Sequence, residues 1–347
     1  MRYLPILLAL AGPIALRAQT TPAPLPGNPE AMLHAAASSY DLQSAAAKPW
    51  HLRILYQLYD QDEKPSETGT LEYWWASPER NRESLTRGNV TWSRWHTPEG
   101  KTLGVASGRF NFAENGLLNQ FLSPLPSPDR FNDENTRFQK ETVKFGNTDA
   151  PCVMLVPKGL AFDSESPAAG LFPTYCFDPK FPLLVARLAW GAPTIGYGSF
   201  LRFAGHYLAG SVTEYERGRR ILTAKLDSAE GMQPDDAALI PPPDATENPF
   251  IQKVGVASGV MAGARIGGSQ PAYPENAKAA RESGTVVLRA LIGTDGRIHD
   301  LSVVSAPALS LVIAAMQSVQ TWQYRPYLLN GQPVEVETQI NVVFTLG

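Results

Sequence analysis

The closing stretch of the chain, Gly331 to Gly347, constrains its fold more than any other. From Val334 on, Val334, Val336, Thr338, Ile340, Val342, Phe344 and Leu346 share one side of a period-two pattern, and Glu335, Glu337, Gln339, Asn341, Val343 and Thr345 share the other. This alternation predicts one long antiparallel strand, packed on one face and wet on the other. At about 3.3 Å per residue it would exceed ~40 Å, roughly twice the usual strand, so part of it is expected to run past its sheet partners. Backbone left unpaired there invites another chain.

The 347 residues suffice for two or three domains. A hydrophobic content of 44% with 18% charge is that of a globular protein, and the net charge of −3 supplies no field for gripping phosphates. No Lys/Arg run is dense enough for a polybasic patch, which argues against a nucleic-acid partner. Residues 1–18 open with Met1-Arg2, continue through the apolar run Leu4 to Leu16 and reach Ala18, the layout of a secretory signal peptide cut after Ala18. The alternative is an uncleaved anchor, but the run is shorter than the ~20 apolar residues of a span and carries Pro5, Gly12 and Pro13. Export brings oxidising conditions. Cys152 and Cys176 lie on two strand-like runs and are expected to form a disulfide, with two buried free thiols as the alternative.

After a Pro-rich spacer, Asn28 has the features of an N-cap with Pro29 at the first helical position, opening a helix within residues 19–48. Residues 49–232 then read as strands: Trp50–Tyr59, Gly69–Trp75, Arg80–Leu85, Val90–His96, Lys101–Ala106, Cys152–Val156, Pro173–Phe177, Leu183–Trp190, Gly198–Phe203, Ser211–Glu216 and Arg220–Leu226. One helical insert, Ala113–Leu122, interrupts them and is closed by Pro124, Pro126 and Pro128. An open, curved antiparallel sheet with a helix against it accounts for this order. The run Tyr175-Cys176-Phe177-Asp178, the strands Leu183–Trp190 and Ser199–Phe203, Tyr207-Leu208-Ala209 and the final strand to Asp227-Ser228 resemble the closing strands of the LolA-like lipoprotein carrier superfamily. The resemblance covers roughly residues 30–230 and implies an unclosed β-barrel with an apolar hollow for acyl lipid. Trp74, Trp75, Trp92 and Trp95 are candidates to line that hollow, set against plain core packing, the commoner use of strand aromatics.

Residues 233–249, with Pro241-Pro242-Pro243 among acidic neighbours, read as an extended, solvated linker. The C-terminal domain, 250–347, begins with Gly255, Gly259 and Gly263 at four-residue spacing. Gln252, Lys253 and Arg265 argue against a membrane helix there, leaving a strand or loop with close backbone contacts. A helix is expected over Pro274–Ser283 with Gly284 as its stop, then a hairpin of Thr285–Ile292 and Ile298–Ser305 turning at Asp295-Gly296. A second helix, Leu309–Thr321, is expected to bury Val312, Ala315, Met316, Val319 and Trp322 on one face, and the terminal strand follows the turn at Asn330-Gly331. Two helices on one face of a small antiparallel sheet give an α+β domain.

Gln270-Pro271-Ala272-Tyr273-Pro274, Gly284-Thr285-Val286-Val287-Leu288, Thr294-Asp295-Gly296-Arg297-Ile298, Trp322-Gln323-Tyr324-Arg325-Pro326 and Asn330-Gly331-Gln332-Pro333-Val334, in this order, resemble the C-terminal domain of the TonB family of energy transducers. The resemblance implies a periplasmic module that binds the TonB-box segment of an outer-membrane transporter by strand addition. By position, Gln270 matches the family's glutamine beside that peptide, or else only fixes the entry to the first helix with Tyr273. Gln339, Asn341, Val343 and Thr345 lie on the strand expected to receive the peptide. The chain departs from the family in its cleavable leader and in a large β domain where transducers have a long Pro-rich spacer, which puts coupling to the ExbB/ExbD complex in doubt.

Enzyme motifs fail one by one. Gly267-Gly268-Ser269-Gln270-Pro271 lacks the second glycine of a nucleophile elbow, and Trp95 stands where a phosphate loop ending at Gly100-Lys101-Thr102 needs its first glycine. His34, His51, His96, His206 and His299 are scattered without metal-ligand spacing, and Asp60, Asp62 and Glu63 lack the rest of a calcium loop. The expectation is a non-enzymatic envelope protein without cofactor or metal. Its alternatives are a periplasmic carrier of lipid or lipoprotein and a structural protein that self-associates, as a homodimer, through the terminal strand.

Overall fold

The computed structural model describes residues 23–346 except 45–46, 109, 111, 127–133, 135, 159, 161–166 and 248–252. The leader at 1–18 lies outside these residues. Among the described residues no helix is long and apolar enough to cross a membrane.

Asn28 caps α1 (Pro29–Ser39) as its pattern predicts, its side-chain oxygen accepting from the Ala31 N–H at 3.0 Å. Five strands follow as a meander: β1 (Trp50–Tyr59), β2 (Pro65–Ser77), β3 (Arg80–Arg87), β4 (Val90–His96) and β5 (Thr102–Ser107). The expected single helix is broken at Gly116 into α2 (Phe112–Asn115) and α3 (Leu117–Leu122). Next come β6 (Thr136–Phe145), β7 (Thr148–Pro157), β8 (Thr174–Phe177), β9 (Leu184–Leu188) and β10 (Thr194–Gly198). A small ribbon, β11 (Leu201–Phe203) with β12 (His206–Leu208), precedes β13 (Ser211–Glu216) and β14 (Arg219–Gly231). Gly198–Phe203, read as one strand, is two, because Ser199 adopts φ +52° between them. Strand β6 has no counterpart in the sequence reading.

With β15 (Thr246–Glu247), thirteen strands form one antiparallel sheet in the order β15-β5-β4-β3-β2-β1-β14-β13-β10-β9-β8-β7-β6, which never returns on itself and so leaves an unclosed barrel. Its inner face is filled. Trp50, Leu52, Ile54, Leu71, Trp75 and Val212 pack there against Met32, Leu33 and Ala36 of α1 and Leu117 and Phe121 of α3. Cys152 and Cys176 are register partners on β7 and β8 and are joined by a disulfide.

The acidic, Pro-rich segment after Gly231 is laid along the outer face of the sheet, where the sequence suggests a solvated linker. A 3₁₀ turn at Ala237–Leu239 is capped by Asp236 and buries Leu239, and β15 (Thr246–Glu247) pairs with the edge strand β5. Charge holds the end of this strap too, with Lys101 Nζ 2.9 Å from Glu247.

The C-terminal domain starts with β16 (Lys253–Gly255), α4 (Ser258–Ala264) and β17 (Arg265–Gly267). Gly259 and Gly263 therefore sit in a short helix, and nothing lies within 4 Å of where a Cβ would stand on Gly255, Gly259 or Gly263, so the expected close backbone contacts are absent at these positions. Helix α5 (Glu275–Ala279) is shorter than predicted and is stopped by Arg281 at φ +55°. The hairpin β18 (Gly284–Ile292) and β19 (Ile298–Ser305) and the helix α6 (Leu309–Val319) lie where their patterns place them. Short strands β20 (Gln323–Tyr324), β21 (Leu328–Leu329) and β22 (Gln332–Pro333) lead into β23 (Glu335–Phe344). The main sheet has the order β16-β23-β18-β19, with β16 parallel to β23, and its inner face packs on Met261 of α4, Ala277 of α5 and Leu311, Val312, Ala315 and Met316 of α6.

Candidate functional site

Strand β23 alternates as its sequence requires from Val336 on, but Glu335, on the wet side of the pattern, is buried where Asn115 of α2 donates to it. Val336, Thr338, Ile340, Val342 and Phe344 are buried, while Gln339, Asn341 and Val343 are exposed, Val343 to 64%. The strand is shorter than expected and is not at the edge for its whole length. On one side β18 pairs with it from Val336 to Phe344; on the other β16 pairs only with Glu335, Val336 and Glu337.

One hydrogen bond sets the direction of the free groups. The Val256 N–H donates to the Glu337 carbonyl at 3.0 Å, so Glu337 turns its backbone toward β16. Backbone N–H and C=O of one residue point the same way and alternate along a strand, so Gln339, Asn341 and Val343 also turn theirs away from β18. Past Gly255 the chain turns into α4, which stays beside β23 and sinks Met261 into the core, and among the described residues no strand pairs with β23 beyond Glu337 on that side. Natural edges are usually guarded by Lys, Pro or a bulge. This one has uncharged Gln339, Asn341 and Val343, with exposed Thr345 just past its end. The charge is confined to the covered half, where Glu337 meets Lys253 at 2.8 Å and Arg289 at 3.8 Å and its carboxyl is held below the usual range by the Lys253 hydrogen bond.

Gln270 is exposed on the loop before α5. It lines a groove of about 480 Å³ with Ile313, Ala314, Gln317 and Ser318 of α6, and the groove includes no residue of β23. Its neighbour Tyr273 does reach the strand: its ring meets Phe344 edge-on at 5.5 Å, and its hydroxyl donates to the Glu282 carbonyl.

The four tryptophans do not share one surface, a correction that follows from strand alternation. Trp75 and Trp92 belong to the inner core, Trp75 stacked on Trp50 at 5.6 Å. Trp74 and Trp95 face outward, on either side of the Arg82 guanidinium at 4.5 and 4.8 Å, and Trp95 donates to the Ala238 carbonyl of the strap at 2.9 Å. A hollow of about 780 Å³ near Leu55, Tyr56, Gly69, Val212, Ala224 and Lys225 contains none of the four.

The sequence reading missed the seam between the domains. His299 of β19 bridges Glu216 at the end of β13 (2.8 Å) and Asp295 in its own hairpin turn (3.0 Å), and it stacks on Phe112 of α2 at 4.7 Å. Burial opposes a charge on His299, but the Asp295 and Glu216 hydrogen bonds outweigh it and raise its pKa to about 9. Asn115 of α2 donates to Glu335 at 2.8 Å, and Trp190 to Gln320 at 3.2 Å. The one sequence signal was the Asp295–His299 spacing across a tight turn.

With this geometry in place, comparison with known proteins bears on the second domain. Residues 269–346 match the family described as Gram-negative bacterial TonB protein C-terminal. The sheet that presents β23 is thus TonB-like. No curated relative matches the chain. Among solved structures the chain is similar to an outer membrane lipoprotein-sorting protein domain from Vibrio parahaemolyticus, at 11% identity over 59% of this chain and 93% of that one, with a TM-score of 0.35. It is also similar to a LolA superfamily protein from Nitrosomonas europaea (8% identity, 58% and 94% covered, TM-score 0.31) and a DUF1329 family protein from Desulfovibrio piger (8%, 59% and 93%, TM-score 0.35). Likenesses at this level carry no argument beyond themselves, and the first domain is described by its own strand order.

Proposed function

We propose that the protein is a non-enzymatic, exported envelope protein whose TonB-like domain captures an extended segment of a partner, an outer-membrane transporter, by strand addition to β23. The observation that carries this reading is the outward-turned backbone of Gln339, Asn341 and Val343, continuous with the edge that β16 already uses. A segment added there gains main-chain hydrogen bonds, and its alternate side chains select it. Filling of the inner barrel face by α1 and α3 favours this reading over a lipid carrier.

The test is a synthetic TonB-box peptide titrated into the labelled full-length protein. Amide signals from Gln339 to Thr345 are expected to shift, and an absence of shifts at millimolar peptide would sink the proposal. Asn341→Pro removes an N–H that faces the open edge and not β18, so it should abolish the response while leaving the fold intact. Gln270→Ala, in its separate groove, should change the affinity by less than about twofold, well within a ~0.5 kcal/mol surface effect. Concentration-dependent sedimentation lost in Asn341→Pro would instead assign the edge to self-association.

A further inference from the structure

Between the two domains lies a cavity of about 270 Å³ whose walls hold Glu214 of β13, Arg187 of β9, Asp300 of β19, Glu335 of β23 and Lys253 of β16. Glu214 is only 3% exposed, yet among the described residues no hydrogen-bond donor is assigned to it and no cation lies within ion-pair distance of it or of Asp300. Lys253 is committed to Glu337, and Asn115 to Glu335. Beside the cavity, His299 closes the seam through Glu216, and the seam is tight enough that a Cβ on Gly191 would lie 2.6 Å from the Leu301 side chain and 3.1 Å from its carbonyl. Three carboxyl groups thus share the walls of one cavity with the Arg187 guanidinium, beside an apolar contact in which Met154, Val156, Leu171 and Phe172 of the barrel join the core of the TonB-like domain.

We propose that this seam is a proton-operated latch, closed in acid and loosened as the pH rises, which sets how firmly the TonB-like domain is held against the barrel. Charged carboxylates are costly in a closed cavity and cheap in water, so the docked arrangement takes up protons and the open one releases them. Burial pushes Glu214 up to about 7, against the pull of Arg187, and pushes Asp300 and Glu335 in the same direction. Around Asp300 stand Arg187, Lys253 and Glu337, and around Glu335 stand Asn115, His299, Lys253 and Asp295. His299 faces Asp295 and Glu216, which in turn face Arg297 and Arg217. His299 is raised to about 9, but the Asp295 share of that rise stays within its own hairpin, so only the Glu216 share belongs to the docked form, and it is lost as the pH climbs through 9. Glu216 and Asp295 are shifted down, so they act only in strong acid, outside this window.

Hydrogen exchange on the full-length protein tests the latch, with protection factors already corrected for the intrinsic rate. Protection across 189–193 and 298–303 should fall at least about tenfold from pH 6 to pH 9, relative to β1 and β18 in the same samples. Glu214→Gln, which cannot ionise, should keep the seam protected to higher pH. Glu216→Gln, on a partly exposed side chain, should flatten the drop between pH 7 and 9. Seam protection that is constant with pH, that falls in step with β1 and β18, or that has the same profile in both variants overturns the proposal.

Discussion

Arg82 shows how much of the site lies below the resolution of a hydropathy pattern. In sequence, Trp74, Trp75, Trp92 and Trp95 are four aromatics on the two strands that flank β3, and nothing separates inner from outer positions until the faces are known. Register does so: His51, Trp74, Arg82 and Trp95 are successive cross-strand partners from β1 to β4, which puts all of them outside. Arg82 is then held between two indoles, and its Nη1 also lies 3.4 Å from the Ala238 carbonyl of the strap. Arg82→Met should lower stability by about 1–2 kcal/mol, the worth of a partly desolvated cation–π pair, and should speed protease cutting within 233–247. Unchanged cutting would mean that the strap does not depend on this contact. At the candidate edge the exposed set Gln339, Asn341, Val343 and Thr345 was legible, since period two alone sorts the faces. Which backbone groups remained free was not legible, because that depends on a neighbour, β16, whose three residues carry no pattern of their own.

Among the elements, those bounded by turn chemistry were legible, and those bounded by context were not. β1, β4, β13 and β19 begin and end where Gly, Pro, Asn and Asp clusters put them. β6 escaped because its polar, alternating Thr136–Phe145 has little apolar signal, as suits a strand that ends a sheet with one partner. The disulfide pins that end. Cys152 and Cys176 are separated by 24 positions in sequence, and reduction should cost about 3 kcal/mol by loop entropy. A melting curve with and without reductant measures this, and an unchanged midpoint would show that the bond adds nothing to the buried contacts already around it.

For the whole molecule, the two domains were legible as compositions, and their contact was not. Residues such as Phe112, Glu216 and His299 lie far apart in sequence and meet only across the contact between the domains, as Trp190 meets Gln320. Gly191, at φ +83°, lies against Leu301 across that contact. Gly191→Ala combines a left-handed backbone with a collision against Leu301, so docking should weaken by about 1–2 kcal/mol or more. Exchange of amides near Leu301 should rise without a change in β1, and equal rises in both would point to general unfolding instead.

The strap ends at Glu247 and β16 begins at Lys253, a gap that no chain conformation can stretch beyond roughly 20 Å. Even with the latch open, the peptide-capturing edge is therefore on a short leash. It cannot sweep through a wide volume in search of a partner, so a partner segment must itself come within a few nanometres of the barrel.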